Sequence, residues 1–371
     1  MFENLPFKFP LFADKRFRLD SVLFEVTSRC NLSCAHCYNV WKVEGAKAPG
    51  ELNTKDAIRL IAKAVKETRC TQLTLTGGEP CLREDLEELV AFAKTRVRHV
   101  VLISNGTRLE ESRIKNLLKA GVDLFELPLH AGEPGPHDES LGAPGSFDQI
   151  TRAATTLQHL GGAVAFVFVG RRANMAHWPA ALELGVALGA RSFLFNRWNA
   201  GGTLHEHPEA LMPTVSQVKE ALAVAEAGVN RYDVTISASI PLPPCLVDTA
   251  PYPNVNFGFC AAGGAHAYFT LDPLGNMRPC NHTPTVLGNL FEQPFSRMVR
   301  SRAMEAFTAA RPPFCGGCAL EQSCLGGCKA AAQVCYGDVN ACDPFLALNL
   351  DQVHRPETVS RLAKSNSPQR H

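Results

Sequence analysis

Between residues 22 and 227, strand-like runs alternate with helix-like segments, and this alternation constrains the fold more than any other feature. VLFEVT (22–27), QLTLT (72–76), HVVLIS (99–104), VDLFELPL (122–129), AVAFVFVG (163–170) and RSFLFN (191–196) are rich in β-branched and aromatic residues. Helix-like segments follow them, starting near Thr54 and then lying near 83–96, 109–119, 147–160, 177–189 and 214–227. Such spacing predicts an α/β fold with a parallel sheet of right-handed βαβ units. Six units suit a partial (β/α)6 TIM-like barrel; a doubly wound sheet is the alternative, and periodicity does not separate the two.

The pattern breaks down near 226–240, and proline-rich SIPLPPC (239–245) reads as a linker. Four parts are expected: an extension at 1–20, a core at 21–230, a segment rich in Cys, Gly and Pro at 231–346, and a polar tail at 347–371. AVAFVFV (163–169) falls far short of the ~20 residues that span a bilayer, and the N-terminus shows no signal-peptide core. No membrane association and a cytoplasmic location are therefore expected. Lys plus Arg number 37 against 36 Asp plus Glu, a net of +1, so no global basic field advertises nucleic acid, and none is expected as a partner.

Fourteen cysteines among 371 residues are under half the density of a small disulfide scaffold. In a reducing compartment, tightly spaced cysteines read as metal or cluster ligands. Cys30, Cys34 and Cys37 form C-x3-C-x2-C directly after the first strand. Thiolates are soft ligands for Fe–S clusters or zinc, and three on one loop hold three corners of a cubane, leaving the fourth iron open. Positions i, i+4 and i+7 also share a helix face, so three buried core thiols are the bland alternative. Arg29, Asn31 and Ser33 make the loop polar, however, and it leaves the end of a strand where barrel active sites sit. The second strand ends in Gly77, Gly78, Glu79 and Pro80, where glycines allow close backbone approach and leave amides and carbonyls free for a small ligand. The third ends in Ser104, Asn105 and Gly106, another polar tip at the same rim.

RCNLSCAHCY (29–38) resembles the cluster motif of the radical S-adenosylmethionine (SAM) superfamily, with His36 as the aromatic-type residue before the last cysteine and Tyr38 after it. GGEP (77–80) resembles that family's methionine-binding motif, and the resemblance covers about residues 20–230. It implies a [4Fe–4S] cluster on Cys30, Cys34 and Cys37, with SAM chelating the open iron. One-electron reduction would cleave SAM to methionine and a 5′-deoxyadenosyl radical that abstracts a substrate hydrogen. By the same resemblance Gly77, Gly78 and Glu79 line the methionine end, Ser104 and Asn105 face the ribose, and an electron donor such as flavodoxin or ferredoxin is a partner. The protein's part is to orient the cofactor and to keep water and oxygen out.

Cys260, Gly275 and Cys280 form C-x14-G-x4-C, and Cys315, Cys318, Cys324 and Cys328 form C-x2-C-x5-C-x3-C, with Cys335 and Cys342 trailing. Four thiolates at such spacings also suit tetrahedral zinc. After the N-terminal motifs, the pattern resembles the SPASM domain, which implies two auxiliary [4Fe–4S] clusters over about 245–345. In that family Cys260, Cys280 and Cys328 would serve the nearer cluster, and Cys315, Cys318, Cys324 and a trailing cysteine the outer one. Cys342 is preferred for the last place because its longer gap lets the chain return; Cys335 is the alternative. Cys245 is a candidate to close the nearer cluster, whose iron is otherwise open to substrate. Cys70 and Cys81 read as structural.

The resemblance implies an oxidoreductase of the peptide-maturase or sulfatase-maturase kind. Oxidative modification or cross-linking of a ribosomal peptide is favoured over a small-molecule substrate. The different-class alternative is a zinc-binding or electron-transfer module without SAM chemistry. Sulfatase-maturing members carry an aspartate base straight after the G-x4-C cysteine; here that place is Asn281, followed by His282. Only about 20 residues precede the first strand, so a peptide would enter by the barrel mouth, by a separate recognition protein or without leader docking. The loop at 129–147 brings His130, Glu133, His137 and Asp138 to the rim, where a histidine base near neutral pH or plain turn capping are both open. His282 is a further catalytic candidate. Arg171 and Arg172 could meet a carboxylate or form a solvated pair.

Overall fold

The computed structural model describes residues 19–42, 50–202, 206–260, 262 and 267–354. Most of the expected extension and tail lies outside the described residues. Six βα units follow one another: β1 Ser21–Thr27, α1 Thr54–Thr68, β2 Gln72–Gly77, α2 Leu86–Lys94, β3 His99–Ile103, α3 Glu111–Ala120, β4 Leu124–Pro128, α4 Pro134–Leu141, α5 Ser146–His159, β5 Val164–Gly170, α6 Trp178–Ala187, β6 Ser192–Arg197, α7 Pro208–Leu211 and α8 Val215–Tyr232. All neighbouring pairs from β1 to β6 are parallel and consecutive. A doubly wound sheet reverses its strand order at a switch point. None occurs between β1 and β6, so the barrel-type arrangement is the one adopted.

The local reasons are ordinary. α1 buries Ala57, Leu60, Ile61, Ala64 and Thr68 at helical spacing, and Asn53 caps it by accepting from the Asp56 amide. α8 opens with a capping box between Thr214 and Gln217. In β5, Phe166 and Phe168 join the core beneath the helices. Phe168 meets Trp178 of α6 at 5.2 Å between ring centroids. Burying each such aromatic is worth about 1.5–3 kcal/mol. The alternate residues Val167 and Val169 face the barrel interior, and this apolarity on both faces is what a covered parallel strand requires.

The chain beyond residue 230 does not leave the sheet. β7 Thr235–Ala238 and β8 Asn256–Phe257 continue it beside β6, where the sequence pattern had broken down. β9 Tyr268–Leu271 pairs parallel with β1 at the opposite edge, and β10 Asn276–Arg278 and β11 Gly288–Asn289 follow it antiparallel. The described strands thus form one eleven-stranded sheet in the order β11-β10-β9-β1-β2-β3-β4-β5-β6-β7-β8. Among the described residues the cysteine-rich half also carries five α-helices: α9 Phe295–Met298, α10 Arg302–Ala309, α11 Glu321–Cys324, α12 Lys329–Tyr336 and α13 Pro344–Ala347.

Two buried ion pairs tie this half to the barrel. Arg278 of β10 donates to Glu25 of β1, and Arg197 of β6 donates to Asp343. Neither is visible as a sequence motif.

Candidate active site

The ends of β1, β2 and β3 meet as expected. Cys30, Cys34 and Cys37 are free and half-buried on the loop after β1. The Cys37 amide donates to the Cys34 carbonyl at 3.1 Å, closing a turn, and the Leu32 amide points at Cys30 Sγ at 3.5 Å. Burial and mutual repulsion push the Cys34 thiol up to about 12 and raise Cys37, while Lys42 opposes both. Such thiols ionise only with a cation to receive them, which is how metal ligation expels protons.

The glycines of the second strand end work differently from expectation. The Gly78 amide donates to Thr27 O and the Glu79 amide to Arg29 O, both at 2.8 Å, so these donors hold the cysteine loop. A Cβ on Gly78 would stand 2.1 Å from Arg29 O, and one on Gly77, at φ +131°, 2.3 Å from Thr27 O. Only glycine permits this backbone contact. The Glu79 carboxylate is fully buried and accepts from the Cys81 amide, Ser104 Oγ and the Asn105 amide at 3.0, 2.8 and 2.7 Å. It staples the β2 end to the β3 end. Asn105 Nδ2 then donates to Asn31 Oδ1, and Asn31 Nδ2 to Thr107 Oγ1, which closes a polar ring over all three strand ends.

His130 and His137 form a buried stack beneath the cysteine loop, and the half-buried His36 of that loop packs against it. His36 and His130 meet edge to face at 4.5 Å, and His130 stacks on His137 at 5.8 Å. The His130 amide donates to His137 Nδ1, and the Val169 amide to His130 Nδ1. Burial lowers His36 to about 3, His137 to about 4 and His130 well below its ordinary value. Burial thus disfavours the protonated form of each ring, which speaks against a histidine base near neutral pH here. His282 is likewise lowered to about 4 by burial and lies 5.1 Å from the Tyr38 ring. Asp138 accepts from Gly145, Ser146 and Phe147 and so caps α5, a structural task. Glu133 precedes α4 without capping it through its side chain. Arg171 is buried and donates to Ser140 Oγ, whereas Arg172 is exposed and donates to the Met212 carbonyl, so only Arg172 is solvated and the two do not act as a pair.

The sequence reading missed the carboxylates of the barrel interior. Phe125 and Leu127 enter the helix-covered core, so Glu126 between them faces inward. Glu25 and Glu79 each have donors, whereas no hydrogen-bond donor or cation among the described residues meets the Glu126 carboxylate. Burial raises it to about 7. Its only sequence signal is one acidic residue inside an apolar strand.

The cysteine-rich half divides into two groups. Cys280 feels both Cys328 and Cys260, and all three press on the buried hydroxyl of Tyr268. That hydroxyl donates to Asn281 Oδ1 at 3.0 Å, so the amide at the expected base position is engaged by tyrosine. Cys315, Cys318, Cys324 and Cys245 line one cavity with Phe314, Leu320 and Leu346. Cys342 is close enough to Cys315 to raise it. Cys245, expected to close the nearer group, thus sits with the outer group. Cys335 lies near Cys328 and Asp343. Cys70 and Cys81 are buried, as expected of structural thiols.

These donor sets fit Fe–S clusters. Each group offers three or more soft thiols, most of them half-buried. No described helix is long and apolar enough to cross a membrane.

Comparison with known proteins agrees with this geometry. Residues 24–185 match the model of the radical SAM superfamily, and residues 260–319 match SPASM, an iron–sulfur cluster-binding domain. The PqqA peptide cyclase of Methylocella silvestris is 30% identical over 342 residues, covering 89% of this chain and 88% of that protein. That of Granulibacter bethesdensis is 28% identical over 341 residues, covering 88% and 87%. Among solved structures, Streptococcus suis SuiB bound to precursor peptide SuiA has a TM-score of 0.69 at 12% identity, covering 88% of this chain and 75% of that one. Native anSMEcpe with bound AdoMet has a TM-score of 0.69 at 18% identity, covering 90% and 95%. These two likenesses establish the fold.

Proposed function

This chain belongs to the radical SAM superfamily and carries a SPASM domain, and on that premise we propose that it oxidatively modifies a ribosomally made peptide, forming a cross-link within it. The likeness to PqqA peptide cyclases across both halves of the chain carries this reading. Sulfatase maturation is disfavoured by Asn281, which offers no carboxylate and is held by Tyr268.

Cys30, Cys34 and Cys37 would hold the SAM-binding cluster. Cys260, Cys280 and Cys328 would hold the nearer auxiliary cluster. The outer one would draw on Cys315, Cys318, Cys324 and Cys342, with Cys245 as a fifth thiol in reach. When bound, the first cluster and SAM supply a 5′-deoxyadenosyl radical that takes a substrate hydrogen. The chain's own residues prepare the place for it. Gly77 and Gly78 press the β2 end onto the cysteine loop, and Glu79 locks Ser104 and Asn105 beside it. The neutral histidine stack and Arg171 pack beneath and keep water out. Glu126 offers the substrate an unpaired carboxylate inside the barrel. A one-electron donor of the flavodoxin or ferredoxin kind, a cytoplasmic location and a separate peptide-recognition protein belong to the same reading.

The test is anaerobic reconstitution, metal analysis, and a deoxyadenosine assay with dithionite and SAM, followed by mass spectrometry of candidate peptides. About twelve irons, deoxyadenosine and a peptide lighter by two hydrogens are expected. Stoichiometric zinc without deoxyadenosine would remove the enzyme reading; deoxyadenosine with no peptide ever altered would remove the peptide.

A further inference from the structure

We propose that Asn199 sets the reduction potential of the nearer auxiliary cluster, through a hydrogen bond from its side-chain amide to the ligand Cys328. The proposal rests on the assignment of Cys260, Cys280 and Cys328 as that cluster's ligands.

Asn199 lies two residues beyond β6 and points across to the cysteine-rich half. Its Nδ2 stands 3.3 Å from Cys328 Sγ. Asn199 is 4% exposed and Cys328 8%, so water does not compete for the contact. Both ends are anchored. The Cys328 amide donates to Asp343 Oδ2 at 2.8 Å, and Asp343 is gripped by Arg197, which precedes Asn199 by two residues. Just beyond, a Cβ on Gly201 would stand 2.4 Å from the Tyr38 carbonyl, so the segment carrying Asn199 is wedged against the first cysteine loop. The backbone around Asn199 is thus fixed, while its Oδ1 is buried without a hydrogen-bond partner among the described residues, so the Nδ2 contact to Cys328 Sγ is what orients the amide.

Sulfur is a weak acceptor when neutral and a better one as its charge grows. Reduction places more negative charge on the ligand sulfurs, and an N–H directed at one of them favours the reduced state. Hydrogen bonds to sulfur are among the levers that set Fe–S potentials, and a low local dielectric strengthens them. The nearby Asp343 carboxylate would act in the opposite sense, but Arg197 balances its charge. Asn199 thus raises the potential of the nearer cluster. It is a positioning residue, acting on a ligand rather than on substrate.

The experiment uses the reconstituted full chain, with potentiometric titration followed by EPR. Cys328→Ala first identifies the nearer cluster's signal as the one lost; if no signal is lost, the ligand assignment fails and the proposal with it. Asn199→Leu keeps the volume and removes the N–H. The expected result is a downward shift of that one midpoint, with the other clusters unmoved. An unchanged midpoint overturns the proposal. If Asn199→Leu does not retain the cluster, pulsed EPR of the unmodified protein in deuterated water decides. An exchangeable deuteron coupled to that signal and absent from Asn199→Asp supports the hydrogen bond, and its absence from the unmodified protein overturns it.

Discussion

One oxygen of Asp343, Oδ2, accepts from both the Arg197 guanidinium and the backbone amide of Cys328, with neither side chain of the ion pair exposed. A single buried carboxylate therefore joins the end of β6 to a cysteine of the auxiliary site. Gly327 sits against it, where a Cβ would fall 2.8 Å from that oxygen.

Breaking this pair from one side leaves a buried charge without a partner, at a cost of about 3–5 kcal/mol. Arg197→Met is expected to lower chemical-denaturation stability by that order and to loosen the auxiliary cluster. Arg197→Met combined with Asp343→Leu should recover part of the loss, because no lone charge remains. A double variant as unstable as the sum of its singles would show that the charges do not interact.

Glu126 makes stability depend on pH in an unusual sense. Its folded-state pKa of about 7 lies above the ordinary 4.5, so between these values the folded chain binds more protons than the unfolded one. Stability then falls as pH rises through this window, by of the order of 3 kcal/mol at 1.36 kcal/mol per unit. The facing residues Ile103 of β3 and Ala165 of β5 carry no charge to offset it. Glu126→Gln should lack this component, so its stability relative to the parent should climb between about pH 5 and pH 8. A constant difference across that range would mean that Glu126 ionises freely.

Gly78→Ala drives a methyl into the Arg29 carbonyl, 2.1 Å from the ideal Cβ. The expected cost is about 1–3 kcal/mol, with iron lost from the first cysteine site. Gly135→Ala, whose Cβ would meet nothing within 4 Å, is the control and should stay within about 0.5 kcal/mol. Equal melting temperatures and equal iron content for the two variants would refute the tight-contact role.

Cys245 shares its cavity with Cys315, Cys318 and Cys324. Cys245→Ala is therefore expected to perturb the outer cluster's EPR signal and to leave the nearer cluster's intact. A selective loss of the nearer signal would restore Cys245 to the place that chain order suggested.

Residues adjacent in sequence carried most of what could be read from it. The alternation of apolar strands with amphipathic helices specified the six units, because side-chain period follows backbone geometry directly. The C-x3-C-x2-C and GGEP motifs lay at successive strand ends, and the parallel sheet brings successive strand ends to one rim. Tertiary structure alone decided matters that depend on distant partners. It enlisted the chain after residue 230 to extend both edges of the sheet: AYFTLD (267–272) reads as strand-like, but only the fold decides that it pairs with β1 on one side and β10 on the other. It brought Ser104 and Asn105 within reach of the Glu79 carboxylate, which staples the β2 end to the β3 end. It lowered the basicity of His130 and His137 through burial, which no local pattern encodes. It also joined Glu25 to Arg278 and Arg197 to Asp343, charges 253 and 146 residues apart, because a buried charge must find its partner wherever the fold places one.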